Sequence, residues 1–114
     1  MGSMIEINFS HDYFKLREQR FTTIRSKHYL KNKGLRVGDV VKIKHPSGEF
    51  PAKIVGVEVK RICDIPLEIL KKDAEFEGFN IKTHQDFVDL LNSFIPYKSN
   101  KLTTEKAIIY LERV

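Results

Sequence analysis

A chain of 114 residues with 41% hydrophobic and 31% charged residues has room for one hydrophobic core, and this composition predicts a single soluble globular domain. Its 20 Lys and Arg against 15 Asp and Glu give a net charge of +5 and a pI near 9.4, which favours polyanionic partners such as RNA or, equally, a lysine-rich solvated surface. No run of eighteen apolar residues is present, which excludes a helical span of the bilayer, and the N-terminus lacks the layout of a signal peptide. A cytoplasmic, monomeric protein without a membrane partner is the expectation.

Met1-Gly2-Ser3 ahead of Met4 reads as an added leader, so a single domain is expected over 4–114. Cys63 is the sole cysteine and no two histidines stand at helical spacing, so neither a disulfide nor a metal site is expected, and no cofactor is implied. Cys63 itself reads as a small buried residue, with a nucleophile as the alternative.

Taken in order, residues 5–9 alternate and predict a first strand, after which Ser10 can cap a short helix over 11–19. The stretch Arg20–Ser26 crowds hydroxyls and cations into seven residues, and its aromatic and β-branched run predicts a strand. Alternation puts Phe21, Thr23 and Arg25 on one face and Thr22 and Ile24 on the other. Threonine hydroxyls flanked by guanidinium groups suit the reading of an anion or a base edge. They also suit an edge strand that is merely soluble.

Residues 27–36 read as a basic connector carrying Lys27, His28, Lys31, Lys33 and Arg36, with Tyr29 and Leu30 as anchors. Such a segment can contact phosphates and stack a base, or simply be a solvated loop. Val37-Gly38-Asp39 is a turn ahead of a strand over 40–44. The loop at 45–48 has turn chemistry. A long strand follows over 52–62, with Val55, Val57 and Val59 on one face and Gly56 marking a bulge or bend. The two strands together predict a hairpin or meander with one buried face.

Pro66 opens a helix whose apolar stripe is Leu67, Leu70 and Ala74, with Gly78 as its terminator. Thr83 with Asp86 resembles a capping box. The helix behind it carries Phe87, Leu90, Leu91, Phe94 and Ile95 as core and stops at Pro96. Residues 106–114 read as a closing strand. The order predicts an α+β domain on a small β-barrel of about five to six strands, with three or four short helices outside.

Three segments in this order resemble the ASCH family. Arg20-x-x-Thr23-x-Arg25 is similar to its Lys-x-x-Thr-x-Arg, and Leu35-Arg36-Val37-Gly38-Asp39-Val40 to its Gly-Asp turn. Ala74-Glu75-Phe76-Glu77-Gly78-Phe79 is close to its Ala-Glu-x-Glu-Gly-Phe. The likeness spans about 5–112. It implies a PUA-like barrel with a cleft where the first motif meets Glu77, and RNA or nucleotide binding there. Some small bacterial members of that family deacetylate acetylcytidine with a Lys, a Thr and a Glu. Carried over, the threonine is Thr23 and the glutamate Glu77, while the lysine position holds Arg20 and the preceding glycine is Glu18.

Arginine keeps its charge and is a poor general base, so this departure weakens catalysis more than binding. The expected site is therefore an RNA- or nucleotide-binding cleft of Arg20, Thr22, Thr23, Arg25, Ser26 and Glu77, flanked by Lys27, Lys31 and Lys33. Arg25 pairing structurally with Glu77 or Glu75 is the plainer alternative. A small amidohydrolase with Thr23 as nucleophile, Glu77 as proton acceptor and Arg20 in the lysine position is the rival activity. A protein-interaction adaptor is the third class.

Overall fold

The computed structural model of the chain describes residues 4–74, 81–94 and 99–114. Five strands form one curled mixed sheet, a half-barrel: β1 (Glu6–Asn8), β2 (Arg20–Ser26), β3 (Val40–His45), β4 (Gly48–Arg61) and β5 (Glu105–Arg113). Their order across the sheet is β1-β3-β4-β5-β2, with β1 parallel to β3 and the other pairs antiparallel. Among the described residues three helices accompany it: α1 (Tyr29–Lys33), α2 (Leu67–Asp73) and α3 (His84–Ser93). The expected α+β class and the strand and helix numbers agree with this architecture at that level. Among the described residues no helix is long and apolar enough to cross a membrane.

The sheet is covered on both faces. Inside the curl lie Ile7, Phe9, Leu16, Phe21, Val41, Ile43, Ile54, Ile109 and Leu111. On the outer face α2 and α3 bring Leu70, Phe87, Val88 and Leu90 against Ile108 and, more loosely, Ile24 and Tyr110. Burial of the consecutive residues Ala107, Ile108 and Ile109 follows from this, because a strand covered on two faces reads as a continuous apolar run.

Several local signals act as the sequence suggests. Thr83 Oγ1 accepts from Asp86 N at 3.2 Å and Asp86 Oδ2 accepts from Thr83 N at 3.0 Å, completing the capping box of α3. Pro66 stands at the N-cap of α2, one position before the first helical residue. The register between β4 and β5 shifts between Ile54 and Gly56, so the bulge lies where glycine marked it.

Five expectations need correction. The segment 11–19 forms only a 3-10 turn at Phe14–Arg17, without a side-chain cap, because Lys15 and Leu16 are both drawn inward. The basic connector contains α1, closed by Gly34 at a φ of 67°, a left-handed conformation that glycine adopts without steric cost. Cys63 is exposed, at the 3-10 turn where β4 leaves the sheet. The valines of β4 do not form a buried face: Val55, Val57 and Val59 are 42%, 39% and 48% exposed. Phe94, expected in the core, is exposed as well. The segments at 75–80 and 95–98, with Glu75, Glu77, Gly78, Ile95 and Pro96, lie outside the described residues.

Candidate functional site

Because the sheet is a half-barrel, β1 and β2 are its two edges and a seam lies between them. Arg25 spans that seam. Its Nη2 donates to the Asn8 carbonyl of β1 at 2.8 Å, and its Nε donates to Thr23 Oγ1 on its own strand at 3.1 Å. The guanidinium carbon stands 4.9 Å from the Phe9 ring centroid and 5.2 Å from that of Tyr29, so it lies between two aromatic faces. An open pocket of about 160 Å³ occupies the seam, walled by Asn8, Phe9, Ser10, Tyr13, Thr23, Arg25 and Asp73. A second lobe of about 320 Å³ shares Ser10, Tyr13 and Asp73 with it and reaches Phe87, Leu91 and Phe94 of the α3 region.

Among the described residues only two polar side chains are fully buried, Lys15 (0%) and Thr23 (2%), and both belong to this corner of the molecule. Burying a lysine is costly unless its charge is met. Here Nζ lies 2.6 Å from Asp73 Oδ1, and it also stands over the Tyr13 and Phe9 rings at 5.0 and 5.4 Å. The same Oδ1 accepts from Ile24 N at 3.3 Å, satisfying an amide on the free edge of β2. Lys15 thus stands behind Asp73 and holds it against the strand, while Asp73 itself walls the pocket. Burial, with the Asp73 carboxylate adding to it, raises the pKa of the half-buried Tyr13 phenol above its ordinary value.

The loop that carries Ser10 and Tyr13 is pinned from the other side by Asp12. It meets His45 Nδ1 at 2.6 Å and accepts from both the backbone N (3.0 Å) and the hydroxyl of Ser47 on the β3–β4 hairpin. These hydrogen bonds, the hydroxyl's first, hold the Asp12 carboxyl at about 2.

Of the residues singled out from sequence, the seam gathers Thr23 and Arg25. Arg20 and Thr22 face away: they line a larger groove on the outer surface beneath α2, where Arg20 Nε lies 3.7 Å from Glu112 and its side chain is 78% exposed. The alternation of β2 already implies this division. Ser26 is exposed at the strand end, and Lys27 lies 3.8 Å from Glu105. Lys33 donates to the Glu6 carbonyl at 3.1 Å and stands over Tyr29, next to the seam, while Lys31 is exposed on α1. Glu77 lies outside the described residues, so its place relative to Thr23 is not part of the geometry. Lys15, Tyr13 and Asp73 were not marked by any motif. Lys15 lies 58 positions before Asp73, and nothing local in the sequence marks the pair.

Among the described residues no three His, Cys, Asp or Glu side chains converge as metal ligands. What converges at the seam is a cation between two rings, a buried hydroxyl and a held carboxylate. That set can donate to an anion or a carbonyl and accept from an amine. No protein-family model matches the chain, and no solved structure matches it.

Proposed function

We propose that the chain is a nucleotide- or RNA-binding module of ASCH-like, PUA-like type, with one base in the seam pocket and the phosphates along the basic segment at 27–36. The observation that carries this reading is that Lys15 and Thr23, the only fully buried polar side chains among the described residues, lie together beside an open pocket. Burying a lysine and a hydroxyl at the margin of the core, next to a cavity, costs stability that a binding site would account for. Half-buried Tyr13 offers an aromatic surface at the pocket wall, and Arg25 supplies a guanidinium donor. Asp73 supplies an acceptor, since both hydrogen bonds it receives among the described residues end on Oδ1. Lys27, Lys31, Lys33 and Arg36 supply the cations that this reading assigns to the phosphates.

The experiment is a binding titration of the protein with a short single-stranded RNA at several salt concentrations. Contact of three or four cations with phosphate predicts an affinity that falls with a log–log slope of roughly −2 to −3. Binding that is absent, or indifferent to salt, removes the reading.

A second reading, cleavage of an amide on the bound base, is favoured by one feature: the Thr23 hydroxyl is buried at the pocket, with Arg25 donating to its oxygen and its own proton left to give away. In that reaction Thr23 Oγ1 would bond to the acyl carbon as its proton passes to the Glu77 carboxylate. The C–N bond would break with that proton moving to the leaving amine, and water would then release the acid. Acetate release from acetylcytidine that is lost in both Thr23→Ala and Glu77→Gln is the expected result. No release by the parent protein removes this reading and leaves the first intact.

A further inference from the structure

The far half of β4 is an open sheet edge. β3 stops pairing with β4 at Val40 and Lys53, and Gly38 N and the Asp39 carbonyl then satisfy both backbone groups of Ile54, at 2.7 and 2.9 Å. Beyond Ile54 the strand pairs, among the described residues, with β5 alone. Alternation along β5 fixes which backbone groups are left over. Arg113 N donates to the Gln19 carbonyl, so Leu111, Ile109 and Ala107 also turn toward β2, while Tyr110, Ile108 and Lys106 turn toward β4. Their partners Gly56, Glu58 and Lys60 direct their N–H and C=O groups at β5, and those of Val57, Val59 and Arg61 point out of the sheet. Such a row is a template for one more strand. At the other two edges, by contrast, Asp73 meets the Ile24 amide of β2 and Arg25 meets the Asn8 carbonyl of β1.

The side chains along this edge are balanced in charge. Lys60 Nζ lies 3.2 Å from Glu58 Oε2, and the Tyr110 hydroxyl donates to the other oxygen of the same carboxylate. Arg61 Nε lies 2.8 Å from Asp64 Oδ2. An edge of this kind selects neither a basic nor an acidic strand. It suits a strand that carries the same alternation in reverse. On the inner face Val57 and Val59, in the cross-strand rows of Ile109 and Ala107, are exposed apolar side chains that a further strand would cover.

We infer that the edge of β4 pairs with the same edge of a second copy of this chain, antiparallel and two-fold about Val59. Only outward-pointing residues can exchange hydrogen bonds, which puts the axis on a residue rather than between two. An axis at Glu58 sets two carboxylates against each other, and one at Lys60 two ammonium groups, both destabilising. An axis at Val57 sets Glu58 opposite Gly56 and gains no charge pairing. With the axis at Val59, Glu58 of each copy stands opposite Lys60 of the other, in the non-hydrogen-bonded positions where side chains approach most closely. Each carboxylate then lies between the lysine of its own strand and that of the second. On the inner face Val59 meets Val59 across the axis, and the aliphatic stem of Arg61 covers Val57. Roughly six backbone hydrogen bonds join 57–61 of the two copies. Pairing ends where each chain leaves the sheet at Ile62. So short a contact makes a weak dimer, and the monomer expected from sequence is its dilute state.

The test is sedimentation of the full chain from about ten micromolar to about one millimolar, with amide exchange read at both ends of that range. The expected result is a monomer–dimer equilibrium within the range, with exchange at Val57, Val59 and Arg61 slowing as the dimer fills. Glu58→Lys and Lys60→Glu, both at solvent-accessible positions, should each weaken self-association about ten-fold or more, by setting like charges opposite each other. Mixed in equal amounts, the two variants should associate with each other about as tightly as the parent with itself, because both opposed pairs are then of opposite sign. Three results overturn the inference: a parent that stays monomeric at about one millimolar, a dimer protected elsewhere than at 57–61, or variants that associate alone as well as they do mixed. The residues tested are distinct from those of the seam pocket, so failure here leaves the nucleotide reading untouched.

Discussion

Replacing Lys15 by methionine tests whether the buried ion pair is what holds the floor of the seam. Methionine keeps an unbranched side chain of similar length, so packing against Phe9 and Tyr13 is largely retained and the charge alone is lost. The substitution leaves the Asp73 carboxylate, whose side chain is 17% exposed, with only the Ile24 amide as a donor among the described residues. Breaking a buried pair from one side costs about 3–5 kcal/mol. The residual exposure of Asp73 puts this case near the lower end, at about 3 kcal/mol. With a urea dependence of roughly 1.5 kcal/mol per molar, the unfolding midpoint should fall by about 2 M. Asp73→Leu should cost at least as much, since it strands a fully buried ammonium group. In the double variant neither charge remains, and the chief loss is the Ile24 amide, about 1 kcal/mol. The double variant should therefore be more stable than either single one, with a coupling of about 3 kcal/mol or more in the cycle. Single losses below about 1 kcal/mol, or additive losses, would refute the claim that this pair is buried and mutually dependent.

Other consequences can be checked more briefly. The folded pKa of Asp12, about 2, lies below its ordinary value of 3.8, so its contribution to stability is present above about pH 4 and fades as pH falls toward 2. Melting curves between pH 5 and 2 should show Asp12→Asn less stable than the parent at pH 5, with the gap narrowing toward pH 2. A constant gap would contradict the linkage. Gly34→Ala forces a Cβ into a φ of 67° and should cost about 1 kcal/mol in the same urea assay, although no atom lies within 4 Å of the added methyl. Arg25→Lys should weaken nucleotide binding about ten-fold, because an ammonium cannot meet Asn8 and Thr23 with a planar fork while lying between two rings. Unchanged affinity would show that the bridge across the seam serves the fold alone.

The sequence makes the outline readable and leaves the site half hidden, for physical reasons that differ by residue. β2 is legible to its ends because its β-branched and aromatic run favours one conformation and Ser26 is followed by turn-forming polar residues. The α3 cap and the bulge before Gly56 are legible because each is a local hydrogen-bonding or steric requirement. α1 was missed because five residues with two lysines make no apolar stripe, although Gly34 is the terminator such a helix needs. The valines at 55–59 mislead because alternation predicts a face without saying whether anything covers it. Thr23 and Arg25 come together because two residues apart on a strand means the same face. Lys15 with Asp73 could not be read, since a pair so far apart in the chain meets only once the sheet has curled.

The most direct test of the seam as a nucleotide site is a shift titration of the labelled protein with cytidine, cytidine monophosphate and a short single-stranded RNA. Saturable shifts at Asn8–Tyr13 and Thr23–Arg25, growing from nucleoside to nucleotide to RNA and diminished in Arg25→Lys, are what the account predicts. Shifts that avoid those residues with every ligand, or that gather in the groove beneath α2, would contradict it.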